Sequence, residues 1–253
     1  MRNKIKNPLL FVVALIPIAA VGGMFTIIYS FNLYEPSMQE AILSSVSSYA
    51  SLVASSALQT VVIASICGFI GYIVSDKIGL MRRFTFEKKP LITAVAASII
   101  CGVLFSLDYW VFGKMLPQLA DTYEAQTSLA SFISSIFYGG VVEEVLMRLF
   151  LMSLIALILW KIFTRKNPKE EIPQIIFIAA NILAAALFAV GHLPATKGLF
   201  GALTPLVVFR CFLLNGGLGL VFGRLYHRHG IQYAMLAHAG FHVVSKTIWL
   251  LFI

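Results

Sequence analysis

Charge is scarce in this sequence. Only 12% of its 253 residues are Asp, Glu, Lys or Arg, and the acids are scarcer still, eleven against nineteen bases. A soluble domain is about 25% charged and about 45–50% apolar, whereas 59% of this chain is hydrophobic and its mean hydropathy is +0.90. An ordinary soluble fold and a disordered chain are both excluded. Cysteine is rarer again. Cys67, Cys101 and Cys211 lie in or beside apolar segments with no CxxC spacing. That excludes a disulfide framework and a cysteine-based zinc module, and leaves them as buried small hydrophobes. No GxSxG is present, so the strained serine elbow of many hydrolases is absent. With no solenoid repeat and no low-complexity linker, residues 1–253 are expected to form a single membrane domain.

What the chain does have is long apolar runs. A spanning helix needs about 20 mainly apolar residues, and seven segments qualify, at 9–31, 50–74, 91–114, 130–160, 173–191, 204–223 and 232–252. The fold class implied is all-α, a polytopic transmembrane helix bundle. The stretch 38–49 is too polar for lipid and reads as an interfacial turn of helix. Fourteen of the nineteen Lys and Arg fall on alternate sides of these segments, in "MRNKIKN", "DKIGLMRRFTFEKK", "KIFTRKNPKE" and "GRLYHRHG". The positive-inside rule then puts the N-terminus in the cytoplasm and the C-terminus outside. The net charge of +8 is accounted for by topology and attraction to anionic lipid, with no need for nucleic acid. The first apolar run exceeds a signal-peptide core and reads as a retained helix.

Inside the segments stand Asp108, Glu143, Glu144, Arg148, His192, Arg210, His238, His242 and Lys246. A charge at the bilayer centre costs about 2.5–3.5 kcal/mol on insertion scales, so each must face the bundle interior or find a partner. Glu144 and Arg148 are spaced i,i+4 with the acid first, which reads as a pair. Glu143 points elsewhere and has no local cation. Gly139 and Gly140, one turn earlier, permit close approach of another helix. His192 falls near a span end, with Pro194 expected to stop the helix. His238 and His242 share a helix face at the i,i+4 spacing by which HExxH helices hold zinc, but without its glutamate. Asp108, beside Tyr109 and Trp110, reads as interfacial. Arg210 and Lys246 read as snorkelling or cavity-facing. His227 and His229 read as solvated loop residues. Gly219 and Gly223 make a GxxxG that indicates close packing.

A bundle can bring Glu143, His192, His238 and His242 to one interior point. Two chemistries suit them. In one, Glu143 is a general base for water while histidines stabilise an oxyanion. In the other, Glu143, His192, His238 and His242 bind zinc and the metal activates the water. Both hydrolyse an acyl bond.

"EEVLMR" resembles the EExxxR motif of the CaaX protease and bacteriocin-processing (CPBP, or Abi) intramembrane proteases. "FAVGH" resembles their FxxxH motif, and "LAHAGFH" the region where His is followed four residues later by Asn. The similarity covers roughly residues 130–250, the expected catalytic core. It implies that Glu143 and His192 activate water, that His238 lines the oxyanion site, and that Glu144 and Arg148 support them. His242 departs from the pattern by standing where Asn is usual; histidine can donate to an oxyanion, bind metal or titrate. The implied activity is an intramembrane endopeptidase acting on a membrane-associated peptide or protein, whether by CaaX-type processing of a prenylated substrate, peptide maturation or a bacteriocin-immunity-like role. Short loops suit a prokaryotic cytoplasmic membrane. A non-catalytic immunity or signalling partner, and a small proton-coupled transporter, are the competing readings.

Overall fold

The computed structural model describes residues 2–164, 168 and 171–253. Arg165, Lys166 and Lys169, counted above among the basic loops, lie outside the described residues. Among the described residues, seven helices are long and apolar enough to cross a membrane: Asn7–Phe31, Tyr49–Lys77, Lys88–Phe112, Leu129–Phe163, Gln174–Phe200, Pro205–His229 and Ile231–Phe252. They are referred to below as the first to seventh spans. Among the described residues there is no strand, and the all-α polytopic bundle is what the apolar runs called for. At most 39% of any span's apolar window is buried within the protein. The remainder, including Leu58, Ile66, Ile92 and Ile99, faces outward as lipid-facing surface.

Local chemistry sets the helix ends. Ser48 and Ser51 form a reciprocal capping box at the start of the second span. Ser128 caps the fourth span, and Thr204 caps the sixth with Pro205 in its first turn. The polar stretch after the first span contains the short helix Pro36–Ser44. The fifth span corrects an expectation, because it runs through Pro194 to Phe200. A proline removes one backbone hydrogen bond, but here the following turn is held by packing. Thr196 lies 3.5 Å from Cys211 Sγ, and the ring of Phe200 sits 5.3 Å from the Arg210 guanidinium. The actual stop is Gly201, whose φ of +73° suits glycine. The sixth span likewise extends to His229, so His227 and His229 lie on its last turn rather than in a loop. His227 stacks on Phe177 at 4.6 Å.

The fourth span is the hub. It packs against the first, second, fifth, sixth and seventh, while the third packs chiefly on the seventh. Its backbone is not a simple α-helix. Ser135–Glu143 and Val145–Met152 adopt the wider π-helical hydrogen bonding, which is rare and frequent at functional sites. Small residues bring neighbours against it. A Cβ at Gly71 would fall 2.9 Å from the Leu149 backbone, and one at Gly140 would fall 2.9 Å from Ala239 Cα. The fourth and seventh spans therefore touch backbone to backbone beside the candidate residues.

Two further expectations are corrected. Asp108 is not interfacial but buried, 3% exposed. It receives Arg210 Nε at 2.7 Å and the Tyr123 hydroxyl at 3.0 Å. Arg210 thus neither snorkels nor lines the cavity. It is drawn inward by the carboxylate and by the face of Phe200. Lys246 is also buried, donating to Gln126 O at 2.6 Å and Ser131 Oγ at 2.7 Å. It pins the seventh span to the turn before the fourth. Cys101 and Cys211 are buried, Cys67 is half-buried, and all three are free thiols.

Gly140→Ala is expected to lower stability by about 1–3 kcal/mol through overpacking, read as a fall in the unfolding midpoint in detergent. Arg210→Met, which strands a buried carboxylate, is expected to cost about 3–5 kcal/mol, with part of the loss recovered in the Asp108→Leu/Arg210→Met double variant. A double variant no more stable than the single would contradict the pairing.

Candidate active site

A cavity of about 200 Å³ lies inside the bundle, and Glu143, His192, His238 and His242 all line it. These side chains come from the fourth, fifth and seventh spans, so the convergence expected of them is present in the structure. Glu144 and Arg148 do not line the cavity. They lie behind it, 0% and 2% exposed.

The buried group is built around one oxygen. Glu144 Oε1 lies 3.0 Å from Arg148 Nη1, an ion-pair distance without hydrogen-bond alignment, and 2.6 Å from His238 Nδ1. Arg148 Nη2 donates to the Gly219 carbonyl at 3.2 Å. Its guanidinium also sits 4.8 Å from the Phe188 ring centre and 5.7 Å from that of Phe222, cation–π geometry in a dry setting. Phe222 in turn stacks on His238 at 4.6 Å with planes 13° apart. One arginine therefore links the fourth span to the fifth and sixth, and one carboxylate links it to the seventh. Glu144 Oε2 has no hydrogen-bond partner.

With Nδ1 held by Glu144, His238 turns Nε2 toward Glu143, 3.8 Å from Oε2. The short Glu144–His238 contact can carry its proton on either atom, so Nε2 can present a lone pair or an N–H to the cavity. His192 is oriented differently. Its Nδ1 lies 2.9 Å from the Phe188 carbonyl and so must be the protonated nitrogen, donating to it. That leaves Nε2 as an acceptor. Phe188, four residues earlier, also places its ring edge-on to His192 at 4.5 Å. The spacing FxxxH thus has a physical basis: one phenylalanine fixes the imidazole by its carbonyl and ring and also faces Arg148. His242 stacks on His238 at 5.2 Å. A Cβ at Gly139 would lie only 3.1 Å from His242 Nε2, so the glycine leaves that nitrogen room.

Metal fit can be tested on these donors. Among the described residues, no three His, Cys, Asp or Glu side chains are grouped so that they could hold a metal ion. His238 and His192 each engage Nδ1, on Glu144 and on a carbonyl, which leaves Nε2 toward the cavity; it is the spacing of the donors, not their protonation, that falls short of a ligand set.

Other cavity residues escaped the sequence reading. Asn215, on a π-helical turn of the sixth span, lines the cavity and donates to the Cys211 carbonyl at 3.1 Å. Thr26, Ser134 and Tyr138 add hydroxyls, with Thr26 and Ser134 hydrogen-bonded at 2.8 Å. Gly219 contributes a carbonyl, a role that its GxxxG spacing does not show. Asn215 does have a sequence signal, as a lone amide in "FLLNGGLGL", but a search confined to ionisable residues passes over it.

A family model described as type II CAAX prenyl endopeptidase Rce1-like matches residues 125–244, a stretch that contains Glu143, His192, His238 and His242. That stretch is similar to the family. No curated protein and no solved structure matches the chain. The seven apolar spans fit an integral membrane protein.

Arg148→Lys is expected to break the support behind the cavity, because an ammonium cannot reach Glu144 and the Gly219 carbonyl with the guanidinium's fixed fork. Arg148→Met should be worse, destabilising by about 3–5 kcal/mol through an uncompensated buried carboxylate. Unfolding midpoints of the purified variants in detergent measure both, and an unchanged midpoint in Arg148→Met would contradict the pairing.

Proposed function

We propose that the chain is an endopeptidase that hydrolyses a peptide bond of a membrane-associated protein or peptide, using a water held between Glu143 and His192. The observation that carries this reading is the convergence of Glu143, His192, His238 and His242 on one interior cavity. Glu143 takes a proton from the water as its oxygen attacks the peptide carbonyl. His192, with Nδ1–H engaged on Phe188, offers Nε2 to orient that water. The negative charge that develops on the carbonyl oxygen meets His238 Nε2–H and His242. For His238 to donate there, the proton shared with Glu144 sits on the carboxyl side of their short contact. Collapse of the tetrahedral species breaks the C–N bond, and the proton held by Glu143 passes to the leaving amine.

A prenylated cysteine near the cleaved bond is the substrate feature that the Rce1-like family name suggests.

The test is cleavage of a bilayer-presented reporter peptide, farnesylated or not, by purified protein in vesicles. Glu143→Ala and His192→Ala are each expected to reduce turnover by about 10²–10⁴-fold with unchanged unfolding midpoints. Undiminished cleavage in both variants would sink the assignment. Activity is expected to survive chelation; loss on chelation, restored by zinc with stoichiometric metal uptake, would move the chemistry to the zinc reading of the same four side chains.

A further inference from the structure

Beside the first span, two hollows meet at Arg82 and Arg83. One is an apolar groove of about 460 Å³, walled by Leu10, Phe11, Ala14 and Ile18 of the first span and by Phe84. Phe11 sits between Tyr72 and Phe84, 5.9 and 6.0 Å from their ring centres. The other is a polar pocket of about 380 Å³, lined by Arg82, Arg83, Arg228, His229, Gln232 and Glu87 among others. Three guanidinium-bearing residues face a single acid there, so the pocket favours an anion.

Gln232 fixes the shape of the polar pocket. It is 5% exposed and lines the pocket. Its Nε2 donates to the carbonyls of Arg83 and Thr85, both at 3.1 Å, which ties the arginine-bearing loop to the start of the seventh span. Its Oε1 is turned against Gly230, 2.7 Å from where a Cβ there would lie.

Groove length identifies the rest of the ligand. Asn7 and Ile18, which bound its first-span wall, are eleven residues apart, or about 16 Å of helix at 1.5 Å per residue. That is half of a hydrocarbon core of about 30 Å, the depth of one leaflet. We propose that the two hollows together form a binding site for one anionic glycerophospholipid. An acyl chain lies in the groove, and the phosphate is held by Arg82 and Arg83, which line both hollows. The lipid bridges the first span, the loop after the second, and the first turn of the seventh. The groove also touches Val141 and Met235, but none of Glu143, His192, His238 and His242 lines either hollow, and the proposal does not rest on their roles.

Native mass spectrometry of the full chain in detergent tests this with phosphatidylglycerol, phosphatidylcholine, and glycerophosphoglycerol or inorganic phosphate without acyl chains. Phosphatidylglycerol is expected to bind about 30-fold more tightly than phosphatidylcholine, two arginines contributing about five-fold each, and the chain-free anions are expected not to be retained. Arg82→Gln/Arg83→Gln should bring phosphatidylglycerol down to the phosphatidylcholine level, and Ala14→Trp, which fills the groove, should weaken it without altering the unfolding midpoint. Equal binding of the two lipids by the unaltered chain would overturn the proposal, as would retention of the chain-free anions as strong as that of the lipid, or undiminished binding in either variant.

Discussion

The structure depends on a carboxylate that has been taken wholly out of solvent. Glu144 is 0% exposed, and an isolated charge in that position would cost several kcal/mol. It is tolerable because Arg148 and His238 both reach Oε1. Each of them carries the constraint onward, Arg148 to Gly219 of the sixth span and the ring of Phe188 in the fifth, His238 to the stacked Phe222. Four spans are thereby set around one oxygen, and the position of Glu143, one residue earlier, follows from theirs.

Burial on one side of the fourth span leaves the other side free for chemistry. Glu143 is half-buried at the cavity wall while Glu144 is sealed behind it, so two adjacent acids occupy different environments. The environments can differ because the backbone there is π-helical and the seventh span approaches to within contact of Gly140. A larger residue at that point would separate His238 from Glu144, and the orientation of His238 toward the cavity would go with it. Phe188 has a comparable double duty, holding His192 by a carbonyl and Arg148 by a ring.

Polar groups away from the cavity obey the same rule of pairing in a medium that offers no water. Asp108 with Arg210 and Tyr123, and Lys246 with Gln126 and Ser131, are each internally satisfied. At the basic end Arg82, Arg83 and Arg228 instead face open hollows, which is why that end, rather than these closed networks, invites a ligand.

Sequence by itself determined the fold class and pointed to the ionisable residues that line the cavity. Seven apolar runs specify spanning helices because lipid leaves a backbone no partner but itself, and the few ionisable residues inside those runs had to be paired or functional. The pairing of Glu144 with Arg148 was legible for the same reason, being local to one helix. Only the tertiary structure decided that Glu144 also binds His238, that Asp108 seeks Arg210 across 102 positions, and that the fifth span continues past Pro194. These outcomes depend on contacts between distant segments, and helix periodicity carries no information about which faces meet. The π-helical turns and the place of Asn215 were hidden for the same reason: backbone widening is a response to neighbours, and an amide in an apolar run acquires meaning only when the bundle closes around it.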